Sequence, residues 1–337
     1  MDFRRLAGSW LFICALVLSG CGSDTPAAAE ERTAEVTASG PFGGIPRDRL
    51  YGASAAENLW TPRYELEVPS LPDGWNGVQI AILTDFHLGY WPENQAVAGE
   101  AVKRAVESGV EIVALLGDYV NGESDIPALR EVLAPLRGTH TVAVLGDRDV
   151  RSDSLAAHIT AALEDNGVIV LRNSSLGIEL RGDTAWIAGL DPEVLNEDSG
   201  TQQYILATLG HSGRTPILLS HVPSLAIRAP EGRFPLVLSG NTFCGQVEIP
   251  IAARLSWLAS EALPGGEIES TEKAFRVQGS DVLVSCGLGF GFVPIRFGAA
   301  PEIPIVTLRS GAVTPDSVAV PAGAVPDSLI ESYQGGA

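Results

Sequence analysis

Val-Gln-Ile-Ala-Ile-Leu-Thr-Asp-Phe-His, at residues 78–87, is a short apolar run that ends in polar side chains. The run before Thr84 is too short for a typical helix, and it is rich in Ile, Leu and Val, as buried strands are. The stretch therefore predicts a buried strand whose carboxyl end carries Asp85 and His87, two side chains that can bind a metal.

The same pattern recurs along the middle of the chain, where short apolar runs are each followed by glycine or a polar side chain. These further predicted strands lie at residues 112–116, 141–145, 217–219, 236–238 and 282–284. Helical spacing of apolar residues predicts helices at 93–108, 126–136 and 154–166. Shorter strands are predicted at 168–172, 177–180 and 185–188. Alternating strands and helices favour a parallel sheet, and the strand-rich second half favours an α/β domain with more than one sheet layer.

Carboxylates follow three of these predicted strands. Ligands of open α/β sheets bind beyond the carboxyl ends of the strands, where this chain places Asp85, Asp118 and Asp147, with His221 and Asn241 after later strands. Each Asp alone also fits a turn or a helix cap. Three carboxylates brought together repel one another unless a cation lies among them. The joint placement therefore predicts a site for a hard cation such as Mg²⁺, Ca²⁺ or Mn²⁺.

The composition excludes several classes of protein. Among 337 residues, 41 Asp and Glu stand against 22 Lys and Arg, which gives a formal net charge of −19. Because nucleic-acid binding depends on basic side chains that contact phosphates, we expect no nucleic-acid partner. The hydrophobic content of 45% excludes a wholly disordered chain, and four cysteines are too few for a disulfide scaffold.

The ends of the chain predict export and a tether. Arg4 and Arg5 precede a short apolar run that ends in Leu-Ser-Gly-Cys, which looks like a bacterial lipobox, so residues 1–20 are predicted to be a lipoprotein signal peptide and Cys21 the lipidated residue. The alternative is an ordinary amino-terminal anchor with a chance cysteine. We expect an exported protein that is lipid-anchored to the bacterial cell envelope, on its periplasmic or outer surface. The membrane would then be a partner, and the sequence leaves the oligomeric state open.

The remaining boundaries follow from composition. Residues 21–49 are predicted to form a flexible tether, 50–310 the folded domain, and 311–337 a low-complexity tail.

A series of motifs follows the predicted strands in a fixed order: Asp85-Phe86-His87, Gly117-Asp118, Gly146-Asp147-Arg148-Asp149, His221 and Gly240-Asn241-Thr242-Phe243-Cys244-Gly245-Gln246. The order of these motifs resembles the calcineurin-like metallophosphoesterases, in particular their membrane-associated bacterial branch. The likeness covers about Tyr64 to Leu308 and implies a single-domain α/β/β/α sandwich of two mixed sheets. It also implies a two-metal centre that hydrolyses a phosphoric ester.

The resemblance implies a ligand set for each metal. The first metal would be held by Asp85, His87 and Asp118. The second would share Asp118 and add the three ligands Asp147, His221 and Asn241.

Three histidines of the family pattern are replaced here, by Arg148, Asn241 and Phe243. Arginine can hold a phosphate but cannot give up a proton near neutral pH, so Arg148 is expected to clamp the phosphate. The amide oxygen of Asn241 is a weaker ligand than imidazole, and Phe243 cannot bind a metal. At position 147 the family asparagine is replaced by Asp147, whose carboxylate suits a hard ion. One divalent cation is therefore expected more readily than two, with Mn²⁺, Mg²⁺ or Ca²⁺ favoured.

Two cysteines remain once the signal peptide and the lipidated residue are set aside. Cys244 and Cys286 form an even pair in a protein predicted to reach an oxidising compartment, so we hypothesise a disulfide between them. Two buried free thiols are the alternative.

Two functions stay open at this point. The first is a lipid-anchored hydrolase with an atypical metal site that acts on a phosphoric monoester or diester. The second is a catalytically inactive pseudoenzyme that binds a ligand or partner at the cell envelope. A purely structural, ion-stabilised module is a third, weaker idea.

Overall fold

The computed structural model describes residues 50–52, 55–210, 216–247, 274–277, 279–291 and 293–311. The predicted signal peptide, the tether with Cys21, and the tail beyond Gly311 lie outside the described residues. Within the described part of the chain, no helix has the length and the apolar composition needed to cross a membrane.

Fourteen strands and four α-helices make up the described fold. In chain order they are β1 (Leu50–Tyr51), β2 (Arg63–Pro69), β3 (Gln79–Leu83), α1 (Pro92–Glu107), β4 (Ile112–Leu115), α2 (Ile126–Leu133), β5 (His140–Ala143), α3 (Asp153–Glu164), β6 (Ile169–Val170), β7 (Ser174–Leu180), β8 (Asp183–Leu190), α4 (Ser199–Thr208), β9 (Ile217–Ser220), β10 (Leu236–Ser239), β11 (Ala274–Val277), β12 (Ser280–Val284), β13 (Arg296–Phe297) and β14 (Ile305–Gly311).

The strands form two six-stranded mixed sheets. The order in the first sheet is β2-β14-β3-β4-β5-β6, and in the second it is β11-β12-β10-β9-β8-β7. The central pairs β3–β4 and β4–β5 of the first sheet and β8–β9 and β9–β10 of the second are parallel, while β14–β3 and β7–β8 are antiparallel. A short antiparallel pair, β1 with β13, lies apart from both sheets.

Alternation along the strands separates the layers. In β3, Ile80 and Ile82 pack between the sheets against residues such as Leu219 and Leu238 of the second sheet. Ala81 and Leu83 point the other way, into a core shared with α1, α2 and α3. The outer face of the second sheet packs with α4 in a separate cluster. Strands buried on both faces explain why the runs are almost wholly apolar, and the expected α/β/β/α sandwich of two mixed sheets is confirmed.

The helix predicted at 126–136 is shorter in the structure. Helix α2 ends at Leu133, and Ala134–Leu136 form a single turn of 3₁₀-helix. Pro135 lies in this turn, and proline has no N–H to continue the α-helical hydrogen bonds.

Register brings the strand ends together. Leu83 of β3 pairs with Leu115 of β4, and Leu115 with Ala143 of β5, so these three carboxyl ends lie side by side. In the second sheet Leu238 of β10 pairs with Leu219 of β9. Because the sheets stack face to face, the segments that follow these strands meet at one edge of the sandwich.

Candidate metal centre

The structure brings the predicted site residues together at this edge. Asp85 and His87 follow β3, Asp118 follows β4, Asp147 and Arg148 follow β5, and His221 follows β9. Asp85, His87, Asp118 and His221 are fully buried.

Asp118 lies between the two histidines. Its Oδ2 is 3.5 Å from Nε2 of His87, and its Oδ1 is 3.5 Å from Nε2 of His221. Oδ1 of Asp85 is also 3.5 Å from Nε2 of His87, and Oδ1 of Asp147 is 3.3 Å from Nε2 of His221. The arrangement is a row of alternating carboxylates and imidazoles with Asp118 at its centre.

The atoms that face one another in this row are buried and lack hydrogen bonds. Among the described residues, no hydrogen-bond partner exists for Asp85 Oδ1, Asp118 Oδ2, Asp147 Oδ1, His87 Nε2 or His221 Nε2. Ligand atoms of Asp85, Asp118 and His221 all lie within 4.8 Å of one another. Buried polar atoms are costly when they are unpaired. A cation bound by several of these atoms would remove that cost, so the donor set fits a hard or borderline divalent ion.

Hydrogen bonds from neighbouring residues fix which ligand atoms face inward. Oδ2 of Asp85 accepts from the Thr84 hydroxyl at 2.9 Å and from the backbone N–H of Asn241 at 3.1 Å, which leaves Oδ1 for a ligand. Nδ1 of His221 donates to the carbonyl oxygen of Leu116 at 2.6 Å, which leaves Nε2. Partners of this kind orient metal ligands in proteins. Asn241, a predicted ligand, reaches the cluster here through its backbone N–H.

The backbone at the site is strained. Asp85, His87 and Asp118 have φ values of 57°, 47° and 58°, in the left-handed region that residues with a Cβ rarely adopt. Such strain is concentrated at functional sites, where the surroundings hold it in place. Gly146 shows how tight the packing is, because a Cβ there would lie 2.1 Å from Oδ1 of Asp118.

Charges in the cluster shift one another's pKa. Burial opposes ionisation of Asp85, yet the neighbouring His87 and His221 lower its pKa. Burial likewise opposes the charged form of His221, but Asp118 and Asp147 raise its pKa well above the usual value. Asp147 has a lowered pKa because His221 and Arg148 outweigh its burial.

Asp149 is a buried acid for which sequence analysis assigned no role. Its carboxylate accepts hydrogen bonds from the backbone N–H groups of Asp118 at 2.8 Å, Tyr119 at 3.0 Å and Gly146 at 2.8 Å. Burial and the nearby Asp118 nevertheless raise its pKa to about 7. Its place as the second acid of the Gly-Asp-Arg-Asp motif was the only sequence feature that could have drawn attention to Asp149. Only the fold shows that its carboxylate supports the segment after β4.

Arg148 contacts Asp118 and Tyr90. Its backbone N–H donates to Oδ1 of Asp118 at 3.1 Å, and its Nε lies 3.3 Å from Oδ2 of the same residue. Nη1 donates to the hydroxyl of Tyr90 at 2.6 Å, with the guanidinium carbon 5.6 Å from the Tyr90 ring centroid. The side chain is 24% exposed, so the guanidinium borders both the buried cluster and solvent. Sequence analysis missed Tyr90 because it belongs to no recognisable motif.

Phe243 lies against His87, with ring centroids 4.9 Å apart and an interplanar angle of 27°. The next residue, Cys244, forms a disulfide with Cys286, and their Cα atoms are 4.7 Å apart. The loop after β10 is thereby bonded to the loop after β12.

No family model matches the chain. The chain is similar to curated proteins along most of its length. It is 27% identical over 263 residues to the uncharacterized metallophosphoesterase YkuE of Bacillus subtilis (strain 168), covering 74% of this chain and 85% of that protein. It is 28% identical over 275 residues to a transmembrane protein with metallophosphoesterase domain of Bos taurus, covering 76% of this chain and 59% of that protein.

Among solved structures, the chain is similar to a dimetal phosphatase from Danio rerio, with 10% identity, a TM-score of 0.36, and coverage of 63% of this chain and 88% of that chain. The sequence relatives, the stacked mixed sheets, and the cluster of Asp85, Asp118 and His221 all support the resemblance to the calcineurin-like metallophosphoesterase family.

Proposed function

We propose that the protein is a phosphoric ester hydrolase that depends on a divalent cation and binds one such ion rather than two. The observation that carries the proposal is the set of buried ligand atoms without hydrogen bonds on Asp85, His87, Asp118, Asp147 and His221. A bound cation would supply Lewis-acid activation of the phosphoryl group and of the attacking water. Mn²⁺, Mg²⁺ and Ca²⁺ suit the carboxylate-rich donor set.

Arg148 would act on the phosphate itself, and Tyr90 would hold Arg148 in place. The guanidinium of Arg148 lies at the border between the cluster and solvent, where it can donate a charge-assisted hydrogen bond to a phosphate oxygen. The hydroxyl of Tyr90 accepts a hydrogen bond from that guanidinium and so fixes its position. Arg148 cannot protonate the departing oxygen, so the reaction should depend strongly on how well the leaving group carries negative charge.

Turnover of aryl phosphomonoesters and phosphodiesters with Mn²⁺, Mg²⁺ and Ca²⁺ tests this function. Asp118→Ala is the control, because Asp118 contacts both histidines. We expect metal-dependent turnover by the wild-type protein that the Asp118→Ala variant lacks. Equal rates for the two proteins with every cation would refute the proposal.

A catalytically inactive pseudoenzyme that binds a ligand or partner is the second candidate, and two contacts favour it. Phe243 stacks on His87 where the family pattern has a metal-binding histidine. Arg148 contacts Asp118 where the pattern has a histidine that assists the leaving group. The triple variant Arg148→His/Asn241→His/Phe243→His separates the candidates. Activity gained by this variant from an inactive parent would favour the pseudoenzyme.

We also propose that the protein is exported and anchored to the cell envelope through lipid on Cys21, so that the membrane is a partner. The support is the lipobox-like sequence at residues 18–21. Mass spectrometry of the mature amino terminus provides the test. A mature chain that starts at a diacylated Cys21, and the loss of that species in Cys21→Ser, is the expected result, and an unmodified Cys21 would refute it.

A further inference from the structure

We propose that Phe243 is a positioning residue that fixes the orientation of the His87 imidazole, and that Arg296 and the Cys244–Cys286 disulfide hold Phe243 in place. The inference rests on the proposed function, since it explains how this chain keeps His87 aligned with Phe243, rather than a histidine, beside it.

His87 lacks the hydrogen bond that normally orients a metal-binding histidine. Such a residue usually donates its second ring N–H to a carbonyl or carboxylate oxygen or to water, and His221 donates to the carbonyl oxygen of Leu116. For His87, neither Nδ1 nor Nε2 has a hydrogen-bond partner in the described part of the chain. Among the described residues, packing contacts are therefore what bears on the angle of this ring.

Two aromatic rings confine the imidazole. Phe243 stacks on one face at 4.9 Å, and Tyr90 meets the ring edge-on at 5.5 Å with an interplanar angle of 83°. Offset-stacked and edge-to-face contacts are the favoured geometries for aromatic pairs. His87 is fully buried between them, so rotation of its ring would require one of the neighbours to move.

Arg296 anchors Phe243. Its guanidinium carbon lies 5.2 Å from the Phe243 ring centroid, within range of a cation–π interaction. The guanidinium is fully buried and donates to the carbonyl oxygen of Gly289 at 2.9 and 2.7 Å and to that of Cys286 at 2.8 Å. Burial lowers the pKa of Arg296 only to about 10, so the side chain stays charged at neutral pH.

The loop that carries Phe243 needs this anchoring. Phe243, Cys244 and Gln246 have φ values of 53°, 50° and 52°, three left-handed residues with side chains in a short segment. The Cys244–Cys286 disulfide bonds the segment to the loop after β12. Gln246 adds hydrogen bonds to the carbonyl oxygens of Val293 at 2.7 Å and Ile295 at 2.9 Å. The loop is thus held at the ring of Phe243 and at two of the residues that follow it.

Phe243→Leu removes the aromatic face while keeping an apolar side chain, and Phe243→Tyr keeps the face. Phe234→Leu is the matched control, because Phe234 is fully buried in another cluster, before β10 and away from the site edge. Titration with Mn²⁺ and the visible absorption of bound Co²⁺ serve as readouts. We expect Phe243→Leu to weaken Mn²⁺ binding about tenfold or more and to change the Co²⁺ spectrum. Phe243→Tyr and Phe234→Leu should behave as the wild type.

The double variant Cys244→Ser/Cys286→Ser tests the anchoring and should weaken Mn²⁺ binding in the same direction. Wild-type affinity and an unchanged Co²⁺ spectrum in Phe243→Leu would overturn the inference.

A wild-type protein that binds no cation would instead refute the proposed function. In that case the rate at which diethyl pyrocarbonate acylates His87 in the metal-free proteins tests the role of Phe243. Faster modification in Phe243→Leu than in the wild type and in Phe234→Leu supports the role of Phe243, and equal rates refute it.

Discussion

The carboxylate of Asp149 accepts a hydrogen bond from the backbone N–H of Asp118 at 2.8 Å. A buried acid outside the candidate ligand set therefore holds in place Asp118, whose carboxylate contacts both histidines. Asp118 adopts a left-handed backbone conformation, with φ at 58°, which its neighbours must maintain. Among the described residues, Asp149 thus supports the geometry of the site through hydrogen bonds from backbone N–H groups.

Asp149→Ala should both destabilise the protein and weaken cation binding. It leaves the N–H groups of Asp118, Tyr119 and Gly146 buried without this acceptor. Unsatisfied buried donors cost about 1–3 kcal/mol each, so a loss of at least about 2 kcal/mol in the free energy of unfolding is expected by urea denaturation. The exposed Asp165, which pairs with Arg130, supplies the control Asp165→Ala, expected to cost less than about 1 kcal/mol. Equal losses for the two variants would contradict the role of Asp149.

Most of the candidate metal site could be predicted from the sequence, because parallel strands align their carboxyl ends and a polar residue follows each apolar run. The residues that support this site could not be predicted. Arg148 and Tyr90 lie 58 residues apart, and Arg296 binds carbonyl groups of several loops. Contacts of this kind are set by how the loops fold over the edge of the sandwich, which no local pattern encodes.

The edge of the first sheet escaped sequence analysis for a different reason. Strand β2 alternates exposed Arg63, Glu65 and Glu67 with more buried residues, and no apolar run marks it. Its partner β14 pairs with it over seven residues, from Ile305 with Arg63 to Gly311 with Pro69. An edge strand buries one face only, so its pattern is weaker than that of the central strands.

Cation binding should raise the melting temperature. A ligand that binds only the folded state stabilises it by about 2.7 kcal/mol when its free concentration is about 100 times Kd. Calorimetry with Mn²⁺, Mg²⁺ or Ca²⁺ should therefore show a higher Tm than calorimetry with a chelator. Asp118→Ala should abolish the difference, since it removes the carboxylate at the centre of the cluster. A wild-type Tm that is unaffected by all three cations would count against a metal centre.

Tyr90→Phe should weaken phosphate binding while leaving cation affinity unchanged. The variant keeps the ring beside His87 and loses only the hydroxyl that accepts from Arg148 at 2.6 Å. Hydrogen bonds to charged groups contribute about 1.5–3 kcal/mol, so KM for an aryl phosphate should rise about tenfold. Tyr204 is 70% exposed on α4, and Tyr204→Phe should have no effect. If Mn²⁺ affinity falls together with phosphate affinity, Tyr90 acts on the cluster rather than on Arg148.

Loss of the disulfide should lower stability. Cys244 and Cys286 are 42 residues apart in sequence, and a crosslink that closes a loop of this length typically contributes about 2–4 kcal/mol. Cys244→Ser/Cys286→Ser should therefore unfold at lower urea concentration than the wild type. A reducing agent should shift the wild-type midpoint toward that of the variant and leave the variant unchanged. Coincident wild-type curves with and without reductant would show that the bond contributes nothing measurable.

Arg148→His should change which leaving groups the protein tolerates. Arginine stays protonated near neutral pH and cannot give a proton to the departing oxygen, so the wild type should hydrolyse p-nitrophenyl esters far better than phenyl esters. A histidine at 148 can supply that proton, although the variant loses the hydrogen bond to Tyr90 and the contacts of the guanidinium with phosphate. Since general acid catalysis typically contributes about 100-fold or more, the variant should gain most on the phenyl ester, and its rates should depend less on leaving-group pKa. The measurement is kcat/KM across a series of aryl phosphates for both proteins. Parallel slopes would show that Arg148 does not limit departure of the leaving group.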